Sequence, residues 1–180
     1  MALDYYLFSL INQYAGQNFY IDKTFVFFSE YLIALFLLFF IIEFRNVKAV
    51  FNAIISSVGV VLINSAVSFI YFRPRPFAAY EVNQLVNHVA SSSFPSDHAA
   101  VSFAFATAVF LYNRKVGVFA YAVAFLISIS RIFAGLHYPS DILAGASIGI
   151  LVSLIINIFI KKYMEKIENI FSYILSKIPI

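Results

Sequence analysis

Four short stretches of the chain carry side chains that could bind and transform an oxyanion. They lie near the ends of long apolar segments, where ionisable groups are costly to hold and by default indicate a functional site. The set consists of Arg73, Arg75, Ser96, His98, Arg131, His137 and Asp141. Arginine presents a planar fork of donors that matches phosphate and carboxylate oxygens, so the set predicts an oxyanion ligand.

His137 and Asp141 are four residues apart at the predicted start of a helix. This spacing brings the carboxylate close to one imidazole nitrogen and leaves the other nitrogen free. An imidazole held in this way beside a phosphate bound by arginines can attack phosphorus and form a phosphohistidine. The leaving oxygen then needs a proton, and His98 is the nearest other group that suits the transfer. Ser96 and the amides after it lie at another helix start, whose partial positive charge favours the same anion.

Helix capping and metal binding are the alternatives for parts of this set. Pro95-Ser96 and Pro139-Ser140 are ordinary helix starts, and Ser96 alone or Asp141 alone would fit a capping role. Two histidines and an aspartate can hold zinc, but the neighbouring arginines would repel a cation. The combination therefore favours a phosphate site without a metal.

The elements that must position these residues are membrane helices. The chain has 180 residues, of which 62% are hydrophobic and 12% charged, and it has no cysteine. Soluble domains are typically about 45–50% apolar and about 25% charged. Cysteine-based chemistry is excluded, and the scattered basic residues lack the stripe that nucleic acid binding requires. The sequence predicts one integral membrane domain over residues 1–180.

Five apolar segments come near the roughly 20 residues that a helix needs to span a bilayer. They are residues 24–42, 49–71, 98–112, 118–133 and 142–160. Residues 1–23 and 161–180 place apolar side chains at helical spacing beside polar ones. The sequence thus predicts an all-α helical bundle of about five transmembrane helices, with amphipathic helices at the membrane interface at both ends.

Lysine and arginine orient this predicted bundle. Eight basic residues share one face, which the positive-inside rule makes cytoplasmic. They are Arg45, Lys48, Arg114, Lys115, Lys161, Lys162, Lys166 and Lys177. The candidate site is on the opposite face, and we expect it on the outer side of the cytoplasmic membrane. A four-span alternative, with residues 98–112 in a loop, would scatter the basic residues over both faces.

The motifs resemble the tripartite signature of the type 2 phosphatidic acid phosphatase family. The matching residues are Arg75-Pro76, then Pro95-Ser96-Asp97-His98, then Ser130-Arg131 with His137 and Asp141 at the family's spacing. The resemblance implies a metal-independent mechanism in which His137 is the nucleophile, Asp141 orients it and His98 protonates the leaving group. The phosphate-binding residues that it implies are Arg75, Ser96 and Arg131.

Two positions depart from the family pattern. The lysine that usually stands seven residues before Arg75 is Ser68 here, with Asn64 one turn earlier, and Arg73 is a candidate for the missing charge. Asp97 replaces the glycine of the second motif, so Asn64, Ser68 and Asp97 are possible pocket residues. These departures resemble bacterial undecaprenyl-diphosphatases of the bacitracin-resistance type, which implies a polyprenyl diphosphate substrate and recycling of a lipid carrier for cell-wall precursors.

Two other functions stay open at this stage. One is a phosphatase for phosphatidate or phosphatidylglycerol phosphate, and the other is a non-enzymatic transporter, for instance a bacitracin exporter. Against transport, the polar groups gather at one face, and the sequence has no pair of broken helices in symmetric positions. We expect His88 to be a solvated loop residue and Glu30 to be neutralised or paired within the bundle.

Overall fold

The computed structural model describes residues 2–43 and 47–175 as helices joined by turns and one long loop. The helices are α1 (Ala2–Asn12), α2 (Phe19–Glu30), α3 (Leu32–Glu43), α4 (Val47–Ile70), α5 (Pro76–Ala79), α6 (Asp97–Tyr112), α7 (Arg114–Phe133) and α8 (Pro139–Leu175). No strand occurs in these ranges, and the all-α prediction is confirmed. Arg45 and the side chains from residue 164 onward, which carry most of the predicted C-terminal amphipathic face, lie outside the described residues.

Among the described helices, three are long and apolar enough to cross a membrane. They contain the segments Lys48–Ile70, Arg114–Phe133 and Pro139–Tyr163. A shorter apolar helix, Asp97–Tyr112, lies between the first two in the chain. These four helices correspond to the second to fifth predicted spans, and they bring the candidate residues to one end of the bundle.

The first predicted span is interrupted. Residues 24–42 fall on α2 and α3, which meet at Tyr31. The carbonyl of Ser29 accepts a hydrogen bond of 2.9 Å from Arg131 Nη1 of α7. In an uninterrupted helix this carbonyl would accept from the amide four residues further on, so the guanidinium competes for it where α2 ends.

Helix α6 is the centre of the bundle and packs against α4, α7 and α8. It is apolar on all sides, as expected for a helix surrounded by other helices. Its inner residues are small, with Ala100, Ala104 and Ala108 fully buried. Small side chains allow helix backbones to approach closely in membranes. On α8 the matching small residues are Gly145 and Gly149, which lie against the backbone of α6.

We expect Gly149→Ala to destabilise the bundle. A Cβ atom at Gly149 would lie 2.2 Å from the backbone oxygen of Ala100, and overpacking of a well-packed core typically costs about 1–3 kcal/mol. Gly59→Ala on α4 is the matched control, because its Cβ would meet only Val152 Cγ1 at 3.5 Å. That change removes a flexible residue from a helix interior and should stabilise by roughly 0.5–1 kcal/mol.

The thermal unfolding midpoint of each variant in detergent checks this expectation. Gly149→Ala should unfold at a lower temperature than the parent protein, and Gly59→Ala at the same or a higher temperature. An unchanged midpoint for Gly149→Ala would contradict the close approach of α6 and α8.

Helix α1 presents part of its apolar surface outward, with Leu3, Leu7 and Leu10 exposed. Phe8 and Asn12 are buried against the bundle, and Asn12 donates to the carbonyls of Asn83 and Phe133 at 2.8 and 2.9 Å. Exposed apolar side chains on a helix anchored in this way suit a position at the membrane interface.

Candidate active site

A cavity of about 290 Å³ lies where α4 ends, α6 begins and α7 ends. The loop between α4 and α6 forms much of its wall. Its lining residues are Ser65, Ser68, Arg75, His88, Ser91, Ser92, Pro95, Asp97, His98, Arg131 and His137. The structure therefore brings both predicted catalytic histidines and two of the predicted phosphate-binding arginines to one cavity.

The imidazole of His137 is held in one tautomer by its neighbours. Its Nδ1 lies 2.9 Å from the carbonyl oxygen of Ser93 and 3.6 Å from Asp141 Oδ2, and both of these atoms are acceptors. Its Nε2 lies 3.0 Å from Arg75 Nη1, which can only donate. The proton of the neutral ring is therefore on Nδ1, and Nε2 keeps its lone pair.

His137 is also kept neutral at ordinary pH. The side chain is 3% exposed, and burial, followed by the charges of Arg75 and Arg131, holds the pKa of His137 well below its usual range. A neutral imidazole with an unprotonated Nε2 is the form that can act as a nucleophile. Near neutral pH, the ring needs no prior deprotonation.

Gly135 and the end of α7 bring His137 to the cavity. Gly135 has a positive φ of 83°, a conformation that glycine adopts without the steric cost of a Cβ. The next amide, of Leu136, donates to the carbonyl of Arg131 at 3.0 Å. The chain thus reverses between the arginine and the histidine of the third motif.

Arg75 and Arg131 provide buried positive charge at this cavity. Nη1 of Arg75 donates to the Leu136 carbonyl and Nη2 to Ser91 Oγ, each at 3.2 Å. Nη1 of Arg131 donates to Ser29 and to Glu30 Oε1 at 3.1 Å. Burial lowers the pKa of Arg75, but a guanidinium stays protonated in proteins.

The Nε–H groups of both arginines are buried without a hydrogen-bond partner. Leaving a buried donor unpaired typically costs about 1–3 kcal/mol, and more for a charged group. Two guanidinium groups with spare donors beside one cavity are suited to a phosphoryl group, whose oxygens accept charge-assisted hydrogen bonds.

At the start of α6, Ser96 and His98 have different surroundings. Ser96 is fully buried, its Oγ caps the amide of Ala99 at 3.5 Å and its own amide donates to the carbonyl of Asp141 at 3.1 Å. It is not part of the cavity lining, so its place in the structure is that of a helix cap. His98, two residues further on, does line the cavity.

The residues that depart from the family pattern lie at the cavity, and Asp97 is hydrogen-bonded to Asn64 of α4. Asn64 Nδ2 donates to Asp97 Oδ1 at 2.8 Å, which joins the end of α4 to the start of α6. Asp97 and Ser68 line the cavity, while Asn64 is buried behind Asp97. Ser68 Oγ donates to the carbonyl of Phe94 at 3.0 Å.

Arg73 lies apart from this cavity, and its predicted role as a phosphate ligand stays a prediction. Its guanidinium is not among the groups that line the cavity. It forms ion pairs with Asp4 and Asp141 at 2.5 and 2.7 Å, and it lies 4.0 Å over the ring of Tyr138.

Sequence reasoning missed some of the residues around the cavity. The Ser93 carbonyl is closer to His137 Nδ1 than Asp141 is, and no side-chain pattern could indicate a backbone acceptor. His88, expected in solvent, lines the cavity although it is largely exposed. The expected pairing of Glu30 within the bundle is confirmed, since Glu30 forms an ion pair with Arg131.

The sequence, the bundle and the cavity identify a class of membrane phosphatases. The family model for the PAP2 superfamily matches residues 46–165, and the chain belongs to this superfamily. The resemblance derived from the three motifs is confirmed, and the chain is a multi-pass membrane phosphatase.

Individual relatives lie within this superfamily. Undecaprenyl-diphosphatase BcrC of Bacillus subtilis is 32% identical over an alignment that covers 98% of this chain and 95% of the relative. The crystal structure of Aquifex aeolicus LpxE has a TM-score of 0.74 and 32% identity, covering 86% of this chain and 94% of that one. A PAP2-type phosphatidylglycerolphosphate phosphatase from Bacillus subtilis shares the fold, with a TM-score of 0.64, 21% identity, and coverage of 92% and 86%.

Proposed function

We propose that this protein removes the terminal phosphate of undecaprenyl diphosphate through a phosphohistidine on His137. The observation that carries the chemistry is the imidazole itself, whose Nδ1 faces the Ser93 carbonyl while Nε2 keeps its lone pair beside Arg75. The substrate is supported by the similarity to undecaprenyl-diphosphatase BcrC along almost the whole chain.

In the first step, the Nε2 lone pair of His137 attacks the terminal phosphorus. A bond forms between Nε2 and phosphorus, the bond from phosphorus to the bridging oxygen breaks, and undecaprenyl phosphate leaves. His98, on the wall of the same cavity, gives its proton to the bridging oxygen. Arg75 and Arg131 hold the phosphoryl oxygens and stabilise the charge spread over them in the transition state.

In the second step, water attacks the phosphohistidine. His98, now neutral, accepts a proton from the attacking water, the bond between Nε2 and phosphorus breaks, and inorganic phosphate leaves. Each step uses the same groups in reverse, so His98 ends the cycle protonated and His137 ends it with its lone pair restored.

The proposed reaction is independent of a metal ion. In many phosphoryl-transfer sites a divalent cation neutralises the developing charge. Here two guanidinium groups line the cavity and each holds an unpartnered Nε–H. They are placed to supply that charge, and they would repel a cation.

The proposed setting is the outer face of the bacterial cytoplasmic membrane. The basic residues predicted on the opposite face support this orientation through the positive-inside rule. A cavity at one end of a helical bundle allows the polyprenyl tail to stay in the lipid while the diphosphate reaches the arginines. The product is then the lipid carrier in its monophosphate form.

The experiment that tests the proposal is phosphate release by the purified protein from undecaprenyl diphosphate and from phosphatidate, measured side by side with a chelator present. Release from the diphosphate should persist in the chelator and exceed release from phosphatidate. His137→Ala serves as the control for contaminating phosphatases, and it should give no release from either lipid.

Each alternative has a distinct outcome in this assay. Preference for phosphatidate would contradict the proposed substrate and leave the phosphohistidine chemistry in place. Loss of release in the chelator would contradict metal independence. Release that does not depend on His137 would contradict the mechanism.

A further inference from the structure

A cluster of charged residues lies behind His137, on the side away from the cavity. Arg73 of the loop after α4 forms ion pairs there with both Asp4 of α1 and Asp141 of α8. Asp4 belongs to a helix outside the three motifs, and its carboxylate is 16% exposed. A carboxylate that is mostly buried stays ionised only when an opposite charge or hydrogen bonds compensate for its lost hydration.

Asp4 holds the first turn of α8. Its Oδ1 accepts the backbone N–H of Ser140 at 3.0 Å, and its Oδ2 accepts the Ser140 hydroxyl at 2.5 Å. A carboxylate at this position satisfies a free amide of a helix N-terminus and interacts favourably with the helix dipole. Burial raises the pKa of Asp4, but hydrogen bonds from Ser140 and Arg73 outweigh it and keep the pKa below its ordinary value.

Arg73 connects Asp4 to Asp141. Its Nη2 donates to Asp4 Oδ2, while its Nη1 donates to Asp141 Oδ1 at 2.7 Å and to Ser140 Oγ at 2.7 Å. One guanidinium therefore serves two carboxylates, and the group of three side chains keeps one net negative charge. The backbone carbonyl of Arg73 also accepts the amide of Ser93 at 2.8 Å.

Two groups bonded to Arg73, the Asp141 carboxylate and the Ser93 backbone, lie at the Nδ1 side of His137. Asp141 Oδ2 lies 3.6 Å from Nδ1, and the Ser93 carbonyl lies 2.9 Å from it. When Nε2 is bonded to phosphorus and Nδ1 keeps its proton, the ring carries a positive charge that a nearby carboxylate stabilises. If Arg73 paired with Asp141 alone, the two charges would cancel and less negative charge would be left to stabilise the ring.

We propose that Asp4 is a positioning residue for the phosphatase reaction, acting on His137 through Arg73 and Asp141. This inference rests on the proposed function. Asp4 balances the charge of Arg73, so that the negative charge of Asp141 stays available to the phosphorylated imidazole. It also fixes the first turn of α8, from which Asp141 projects. The N-terminal helix, which carries none of the motifs, is in this way part of the catalytic architecture.

The test measures kcat and KM for undecaprenyl diphosphate, per folded molecule, in Asp4→Asn. The loss of charge should lower kcat by about 10- to 100-fold, as for other misplacements behind a reacting group, and leave KM nearly unchanged because Asp4 does not touch the cavity. Asp22→Asn is the matched control, since Asp22 lies in the first turn of α2 and its Oδ1 accepts the exposed amide of Gly16. It should retain the parent kcat.

Two further variants keep the proposal testable if Asp4→Asn fails to fold. Ser140→Ala removes only the hydroxyl between Asp4 and Arg73 and should give a smaller loss in kcat with the same KM. Combining Asp4→Asn with Arg73→Gln should lower kcat by less than the product of the two single effects, because both act through one network.

The outcomes separate this inference from the proposed function. A parent protein that releases no phosphate from any lipid would overturn the proposed function itself. An active parent with an unchanged kcat in folded Asp4→Asn, or in Ser140→Ala, would overturn only the positioning role. A rise in KM at constant kcat, or multiplicative effects in the double variant, would also overturn it.

Discussion

His137→Ala should abolish phosphate release from undecaprenyl diphosphate, with a loss of about 10⁴- to 10⁶-fold in kcat. The reason is that Nε2 of His137 forms the bond to phosphorus in the proposed reaction, and alanine at this position leaves no atom there to form it. The measurement is phosphate release in detergent, with the thermal unfolding midpoint measured on the same sample to show that the variant is folded.

His88→Gln is the control for loss of an imidazole. His88 is one of the three histidines of the chain, and its Nδ1 contacts only the carbonyl of its neighbour Val89, at 3.0 Å. This variant should keep most of the parent activity. Substantial release by folded His137→Ala, or an equal loss in both variants, would refute the assignment of the nucleophile.

The effect of His98→Ala should depend on the leaving group. Undecaprenyl phosphate leaves as a phosphate, whose second pKa is about 6, and its departure needs little help from an acid. Phosphatidate releases an alcohol oxygen, which is far more basic than a phosphate and leaves poorly without a proton, so formation of the phosphoenzyme should fall by about 10²- to 10⁴-fold. The first step on the diphosphate should fall far less.

With the diphosphate, loss of His98 should instead slow the second step. Water must then attack without a base, so the phosphoenzyme accumulates after a rapid first turnover. Rapid-mixing measurements should show a burst of undecaprenyl phosphate close to one per enzyme, followed by slow release of inorganic phosphate. Equal losses of the first step on both lipids, without a burst, would contradict the role of His98 as the proton donor and acceptor.

Much of the fold could be predicted because apolar segment length and helix spacing are local properties. The motif residues lie at segment ends, and alternating crossings bring those ends to one face, which is how His98, Arg131 and His137 come to share a cavity. The interruption at Tyr31 could not be read in the same way. It coincides with a contact between Ser29 and Arg131, which are more than 100 residues apart in the chain. The hydropathy pattern of a segment does not indicate which distant residue its backbone will contact.

The different placements of Arg73 and Arg75 have a local cause. In the stretch Arg73-Pro74-Arg75-Pro76, each proline disfavours helical angles at the residue before it, and Arg75 has φ of −66° and ψ of 157°. Such a polyproline-like segment has three residues per turn, so side chains two positions apart leave the backbone in different directions. Arg75 reaches the cavity, and Arg73 reaches the carboxylates behind His137.

The contact between His137 and Ser93 illustrates what remains hidden in a sequence. Asp141 was predicted to hold Nδ1 because its spacing from His137 is right, and it does lie near that nitrogen. The closer acceptor is a main-chain carbonyl in the loop after α4. Every residue has such a carbonyl, so only the path of the loop shows which one is used.

The central claim is that the phosphoryl group is carried on His137, and the most direct test is to locate it. His98→Ala would be mixed with undecaprenyl diphosphate labelled in the terminal phosphate, quenched in alkali to preserve phosphohistidine, and digested for mass spectrometry. We predict one labelled peptide, with the phosphate on His137, and no label in the variant that also carries His137→Ala. Label on another residue, or product formation without any labelled protein, would contradict the account.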